Sequence, residues 1–258
     1  MNAFLYAAGR GLRLGPTFSQ RAKILLEVGG RSLLEWHVGR FREVGIQQAH
    51  VIIGYQAEAV TALFPRLERE YGVTLRSIIN PHYTEGSVIS FHASLPQLRQ
   101  ETQPTLIMDG DVLYPAAVLR QLIFSRHRTA LLLDRSYSTA DDDPVLVPVR
   151  GGRPFEFRKK WTGQADLVGE SIGFFKVDPA DLSALEEATL RRTTGPARME
   201  SYDEVLRDLV VQGRFDYEDV TGMPWTELDF PSDIEFAEQS ILPRIKNLQP
   251  PPHPTHEA

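Results

Sequence analysis

The chain has 258 residues, of which 42% are hydrophobic and 24% charged, and it contains no cysteine. This composition is typical of one large globular domain, or of a domain with a small lobe. The lack of cysteine excludes disulfides and thiolate metal sites. A net charge of −6 with scattered basic residues disfavours a nucleic-acid binder, which more often carries a clustered basic face.

The N-terminal sequence MNAFLYAAGRG has no basic residue before its apolar run, and the run ends at Gly9. It is too short for a signal segment or a spanning helix, and no other stretch approaches about 18 uninterrupted apolar residues. We therefore expect a cytoplasmic protein, monomeric or homodimeric, without a membrane or nucleic-acid partner.

Short apolar runs alternate with amphipathic stretches through the first half of the chain. Strands are predicted at Ala3–Ala7, His50–Gly54, Val73–Ile79, Thr105–Met108 and Ala130–Asp134. Helices are predicted at Ser32–Val44, Ala57–Tyr71 with a kink or break at Pro65, Gly86–Leu98 and Pro115–Phe124. This alternation predicts an α/β fold over residues 1–135, with a doubly wound, mostly parallel, Rossmann-like sheet and helices on both faces.

The pattern changes at Val145, where short strands joined by glycine-containing turns begin. Strands are predicted at residues 145–149, Pro154–Arg158 and Ser171–Val177, and helices at Pro179–Arg191, Tyr202–Val211 and Pro231–Ile245. We assign residues 136–246 to a smaller, mixed strand-and-helix portion of the same domain. Residues 247–258 contain three consecutive prolines and are predicted to be disordered.

The first motif follows the N-terminal strand, where Gly9 and Gly11 form a G-x-G turn and Arg13 and Lys23 come after it. Glycines at such a turn let backbone N–H groups approach phosphate oxygens closely. Arg13 offers forked donors and Lys23 a movable point charge, and both favour the negative charge that grows on a phosphorus under attack. A G-x-G spacing alone more often marks an ordinary strand-to-helix turn.

The longer string A-A-G-x-G-x-R-L, with a lysine ten residues after its arginine, is far more specific. It resembles the nucleotide-binding signature of the sugar-phosphate and cholinephosphate nucleotidyltransferase superfamily. That resemblance implies a triphosphate-binding set of Ala7, Ala8, Gly9, Gly11, Arg13 and Lys23. Two positions depart from the pattern, because Phe18 stands where Thr is common and Ala22 stands where Pro is expected before the lysine.

Two acidic motifs lie far apart in the chain. Asp109 and Asp111 follow an apolar strand as D-G-D, and the sequence WTELDFPSD contains Asp229 just before the last helix. Either alone would more often be a turn or a helix cap, and Ser232 and Asp233 are read as caps. WTELDFPSD resembles the closing signature of the cholinephosphate and phosphonate cytidylyltransferase branch. The resemblance implies that Asp111 and Asp229 bind Mg²⁺, which prefers a few carboxylates plus phosphate and water, with Asp109 behind them on the nucleotide side.

Two further stretches are weaker signals. FEFRKKWT and then GESIGF resemble the family's acceptor region, which implies that Lys159, with Lys160 as the fallback, meets the acceptor phosphate; exposed gatekeeper lysines are the alternative. NPHY followed by GSVIS resembles the loop and helix start that meet the base, and implies roles for Gly86, Ser87 and Ser90. A serine-capped helix explains Ser87 equally well.

The resemblance spans most of residues 3–245 and implies that CTP donates CMP to phosphocholine, 2-aminoethylphosphonate or a similar acceptor, with release of pyrophosphate. An ammonium on the acceptor would need carboxylates or aromatic faces. The candidates for the acceptor site are Lys160, Trp161, Glu170, Glu200, Tyr202, Asp203, Trp225 and Glu227. Two alternatives stay open. The first is a sugar-1-phosphate acceptor. The second is a regulatory module that binds nucleotide without catalysis, which predicts loss of charged motif residues, whereas all of them are present here.

Overall fold

The structure is a computed structural model that describes residues 1–15, 20–136 and 144–248. Phe18 and most of the proline-rich tail therefore lie outside the described residues. Within the described part, no helix is both long enough and apolar enough to cross a bilayer.

The described strands fall into one large sheet and two short ladders. Their bounds are β1 Ala3–Ala7, β2 Glu27–Val28, β3 Arg31–Ser32, β4 Gln48–Ile53, β5 Thr74–Ile79, β6 Thr105–Asp109, β7 Val112–Leu113, β8 Ala130–Asp134, β9 Leu146–Arg150, β10 Arg153–Pro154, β11 Leu167–Val177, β12 Asp216–Asp219 and β13 Thr226–Glu227. The helices are α1 Leu33–Val44, α2 Ala57–Thr61, α3 Phe64–Tyr71, α4 Ser87–Leu98, α5 Ala116–Ile123, α6 Leu182–Leu190, α7 Asp203–Val211, α8 Pro231–Phe236 and α9 Leu242–Asn247.

The large sheet runs in the order β5-β4-β1-β6-β11-β9-β10, and β8 and β12 extend it from the other side of β11. Strands β5, β4, β1 and β6 are parallel. Strand β11 is antiparallel to β6, β8 and β9, so the second half of the chain completes the same sheet. The predicted α/β class with a mostly parallel sheet is confirmed, whereas the division at residue 135 stays a prediction.

Both faces of the sheet are covered, as the continuous apolar character of β1 requires. Alternate residues of β1 enter different hydrophobic clusters: Leu5 packs in one cluster with α1 and α5, and Phe4 packs in the other with α4 and α7. Each cluster closes one face of the sheet, which leaves the carboxyl edge of the parallel strands for the turns that follow them.

Several predicted elements have different bounds in the structure. The Ala57–Tyr71 helix is broken, as Pro65 predicted, into α2 and α3. The predicted strand Pro154–Arg158 is wrong, because only Arg153–Pro154 pairs regularly and Arg158 makes one isolated bridge to Leu146. The predicted final helix contains a π-helical turn at Ala237–Ile241 between α8 and α9.

Candidate active site

Two carboxylates meet because a short ladder joins distant parts of the chain. Strand β7 pairs with β13, so Glu227 lies opposite Val112, and the Leu228 N–H donates to the Asp111 carbonyl at 3.0 Å. Asp111 directly precedes Val112, and Asp229 lies two residues after Glu227. The ladder therefore places both carboxylates at one end of β6.

Lys23 joins these carboxylates. Its Nζ lies 2.6 Å from Oδ2 of Asp111 and also donates to Oδ1 of Asp229. The lysine side chain is 13% exposed and each carboxylate side chain is 31% exposed. Burial opposes the charged form of Lys23, but the fields of Asp111 and Asp229 outweigh it and raise the pKa of the ammonium. The three groups form a charged cluster beneath the cleft described below, whose wall includes both aspartates.

The glycine turn faces this cluster. Gly11 has a φ of 62°, and a Cβ there would lie 2.8 Å from the Leu14 side chain, so the turn needs glycine. A 3₁₀ turn at Leu12–Leu14 follows and projects Arg13, whose guanidinium lies 3.2 Å from Oδ2 of Asp229. Gly9 has open space where a Cβ would stand.

Two further carboxylates stand beside the cluster. Burial, with the nearby charge of Asp111, raises the pKa of Asp109 well above its usual range, and the Tyr202 hydroxyl donates to it. Burial and neighbouring carboxylates also raise the pKa of Glu227. For Asp229, burial is outweighed by Lys23 and other cations, so the pKa is lowered. The site thus brings several carboxyl groups together, and a bound cation would favour their charged forms.

A cleft of about 360 Å³ opens above these groups. Strand β11 contributes Glu170, Ser171 and Gly173 to its wall, and Lys159 also lines it. Gly173 has a φ of 75°, and a Cβ there would lie 2.9 Å from Cγ of Asp109. The glycine therefore makes room for the Asp109 carboxylate where the pairing of β11 with β8 is irregular.

The predicted site residues divide into two groups. Those that line the cleft are Ala8, Gly9, Arg13, Ser87, Ser90, Asp109, Asp111, Lys159, Glu170, Tyr202, Asp203, Glu227 and Asp229. Lys23 lies directly beneath them through its contacts with Asp111 and Asp229. The described cleft wall does not include Ala7, Gly11, Gly86, Lys160, Trp161, Glu200 or Trp225.

Trp161 and Trp225, the two tryptophans predicted to meet the acceptor, have other contacts. Trp225 donates its Nε1–H to Oδ2 of Asp134 at 2.7 Å, behind the cleft wall. The Trp161 ring packs edge-on against Phe155, with centroids 6.1 Å apart. From the first turn of α8, Oδ2 of Asp233 accepts from the N–H groups of Asp229 and Phe230, the two residues just before the helix, so its capping role is confirmed. The Ser232 hydroxyl contacts Asp233 instead of a backbone N–H group, so its predicted capping role is wrong.

Sequence reasoning missed part of the wall. Additional lining residues are Tyr6, Tyr83, Glu85, Pro144, Val145, Phe157, Ser171, Gly173, Phe175 and Ser201. Most of them lie on strands or next to predicted site residues, where a period of two could have indicated which side chains share a face. Tyr83 ends the NPHY loop, which the sequence predicted to lie near the nucleotide base without a role for Tyr83 itself.

Residues 3–166 match the MobA-like NTP transferase domain family. The chain is 28% identical to the CMP-5'-(3-aminopropyl)phosphonate synthase of Streptomyces rubellomurinus, over 94% of this chain and 39% of that protein. It is also 28% identical to the bifunctional IPC transferase and DIPP synthase of Rubrobacter xylanophilus, over 94% of this chain and 52% of that protein. The chain thus spans about half or less of the length of these curated relatives.

Among solved structures, the inositol-1-phosphate CTP transferase from T. maritima superposes with a TM-score of 0.76. The match covers 97% of this chain and 98% of that chain at 19% identity. At this identity the likeness concerns the fold.

Proposed function

The chain belongs to the MobA-like NTP transferase family, and we propose that it transfers CMP from CTP to a small phosphorylated or phosphonylated acceptor and releases pyrophosphate. The observation that carries this proposal is the cluster of Asp111, Asp229 and Lys23, set beside the Gly9 turn at the carboxyl edge of a parallel sheet. Ligands of open α/β sheets bind at this edge.

In the proposed reaction, an acceptor oxygen attacks the α-phosphorus of CTP in line with the leaving group. The bond from the α-phosphorus to the bridging oxygen breaks, and that oxygen leaves with the electron pair as part of pyrophosphate. No bond to the protein forms, so the residues act by positioning and by charge stabilisation.

The roles follow from charge and position. The backbone of the Gly9–Gly11 turn, of which Gly9 lines the cleft, cradles the triphosphate, and Arg13 and Lys23 neutralise charge near its α- and β-phosphates. Lys159 lines the same cleft and holds the anionic group of the acceptor. These cations counter the repulsion between two anionic substrates.

The carboxylates of Asp111 and Asp229 are suitable ligands for a divalent cation. Among the described residues, no group of three or more His, Cys, Asp or Glu side chains converges as a metal site. Asp111 and Asp229 both contact one ammonium, and Mg²⁺ commonly takes one or two carboxylates with substrate phosphates and water. When bound, Mg²⁺ would polarise the α-phosphate.

The cleft wall favours an acceptor that carries an ammonium group. Its carboxylates include Glu170 and Asp203, whereas Trp161 and Trp225 are not part of the described wall. Recognition of a trimethylammonium group uses several exposed aromatic faces, and a primary ammonium is satisfied by carboxylates. The wall also carries aromatic residues, among them Tyr83, Phe157 and Tyr202, so the choice of an aminoalkyl phosphonate over phosphocholine rests on the relative named next. The S. rubellomurinus relative is named for a product of that class.

The test is a pyrophosphate-release screen that crosses each of the four NTPs with 2-aminoethylphosphonate, phosphocholine and several sugar-1-phosphates in the presence of Mg²⁺. We expect turnover with CTP and the aminophosphonate. Turnover only with UTP or dTTP and a sugar phosphate would contradict the proposal and favour the sugar-nucleotide alternative.

A variant pair locates the chemistry. Asp111→Asn removes one carboxylate charge and should abolish metal-dependent turnover while the fold is retained, as measured by circular dichroism. Asp219→Asn is the matched control, because Asp219 forms a surface pair with Arg135 at 2.8 Å, and such pairs contribute little. Retained activity in Asp111→Asn would remove this aspartate from the proposed site.

A further inference from the structure

Residues 198–203, which we name the wall segment, lie along the N-terminus of α4. The Gly86 N–H donates to the Arg198 carbonyl at 2.9 Å, and the Val88 N–H donates to the Glu200 carbonyl at 3.3 Å. The first N–H groups of a helix normally lack partners within the helix. Here two carbonyl groups of the wall segment accept hydrogen bonds from the N–H groups of Gly86 and Val88. Gly86 is therefore held by protein, although the sequence predicted that it meets the nucleotide base.

Side chains strengthen this seam. The Tyr202 N–H donates to Oγ of Ser87 at 2.9 Å, and Oγ of Ser87 lies 3.2 Å from Oγ of Ser201. At the other end of the segment, Nε of Arg198 donates to Oε2 of Glu85 at 2.5 Å. The contacts therefore run along the whole segment.

The backbones meet so closely that the seam requires glycine. A Cβ at Gly86 would overlap the Glu200 carbonyl oxygen and lie 2.7 Å from the Arg198 carbonyl oxygen. Both obstacles are backbone atoms, which cannot move aside as a side chain can. Gly86 is thus explained by contact with the wall segment.

The wall segment carries three cleft-lining residues, Ser201, Tyr202 and Asp203. The Tyr202 ring stacks on Phe91 of α4, with centroids 4.9 Å apart and planes 3° from parallel, and its hydroxyl donates to Asp109. Between α6 and α7 the described chain forms one regular element, a 3₁₀ turn at Gly195–Met199. The position of the wall segment therefore depends on its contacts with α4.

We propose that Arg198 and Gly86 are positioning residues that fix the acceptor wall of the cleft by holding the wall segment on α4. Arg198 is not among the residues that line the cleft, and it acts through Glu85 and through its own carbonyl. This inference rests on the proposed function, because it assigns Ser201, Tyr202 and Asp203 to the acceptor side. Small displacements of such groups carry large kinetic costs.

The first measurement is steady-state kinetics of Arg198→Ala with CTP and 2-aminoethylphosphonate. We expect the KM for the acceptor to rise about 10-fold to 100-fold and the KM for CTP to change by less than about twofold. Arg198→Lys keeps a charge for Glu85 and should recover part of the loss. Arg214→Ala is the matched control, since Arg214 forms a 2.7 Å pair with Asp181 at 37% side-chain exposure, against 34% for Arg198.

The second measurement is amide hydrogen exchange in the absence of substrates, followed at Gly86, Val88 and Tyr202. Arg198→Ala and Gly86→Ala should both lose protection at these amides, while amides of β1 stay protected. Unchanged exchange in Arg198→Ala, or an equal rise of both KM values, would overturn the inference. If the wild-type protein turns over none of the tested acceptors, the proposed function fails, and hydrogen exchange still decides whether Arg198 holds the segment.

Discussion

Replacing Lys23 by Met should make the protein less stable and at the same time more responsive to divalent cations. In the wild-type protein, the ammonium lies 2.6 Å from Asp111 and also contacts Asp229, so it neutralises the two proposed metal ligands from within the protein. Methionine has a similar length and no charge. The variant leaves two neighbouring carboxylates, of which Asp229 still contacts Arg13, whose side chain is 53% exposed.

The size of the effect follows from the burial of the pair. Removing one partner of a buried ion pair costs about 3–5 kcal/mol, and exposed pairs are worth about 0–1 kcal/mol. Because Lys23 is 13% exposed and each carboxylate is 31% exposed, we expect an intermediate loss of about 1–3 kcal/mol. For a domain of this size that corresponds to a fall in Tm of about 2–10 °C.

Mg²⁺ should reverse this loss by binding to the two carboxylates. A ligand present at about 100 times its Kd stabilises the folded state by about 2.7 kcal/mol. Thermal melts over a Mg²⁺ titration should therefore show a larger rise in Tm, at lower Mg²⁺, for Lys23→Met than for the wild-type protein. Lys246→Met, at an exposed position in α9, is the control. An equal or smaller Mg²⁺ response in Lys23→Met would refute the reasoning.

Gly173→Ala should lower turnover at least tenfold, because the added Cβ meets the Asp109 carboxylate. The backbone φ of 75° at this position costs alanine about a further 1–2 kcal/mol. Wild-type kinetics in a folded Gly173→Ala protein would contradict this. Asp178→Asn should destabilise the protein by about 1–2 kcal/mol near pH 7. The hydrogen bonds from Arg128, chiefly, lower the pKa of Asp178 in the folded state, so its stabilisation is present above the unfolded pKa and is lost as the pH falls through the folded value. Urea unfolding at several pH values should show the difference between wild type and Asp178→Asn shrinking below about pH 4; a difference independent of pH would exclude this carboxylate as its source.

The sequence predicted the parallel half of the sheet because period and composition act locally there. Strand β1 and helix α1 have apolar patterns that do not depend on distant partners. The strand predicted at Pro154–Arg158 failed because strand formation depends on a partner, and the described structure pairs only Arg153–Pro154 regularly there.

The candidate site shows the same division. Asp111 and Asp229 were predicted to meet because WTELDFPSD resembles a known family signature, whereas neither acidic motif alone indicated it. Strands β7 and β13 supply the contact that brings them together. Gly86 was predicted to bind the nucleotide and Trp225 the acceptor, yet both have protein partners that are distant in sequence. The Gly86 N–H donates to the Arg198 carbonyl, and Trp225 donates to Asp134. Residue type indicated proximity to the cleft but could not show which partner each residue meets.

The alternation of β1 between two hydrophobic clusters has a consequence for how such a site can diversify. Ile24 and Leu228, next to Lys23 and Asp229 in the chain, belong to the cluster on one face, whereas Phe157 and Tyr202, which line the cleft, belong to the cluster on the other. Under the proposed roles, repacking the second cluster would reshape the acceptor side of the cleft while the first cluster keeps its packing around Ile24 and Leu228.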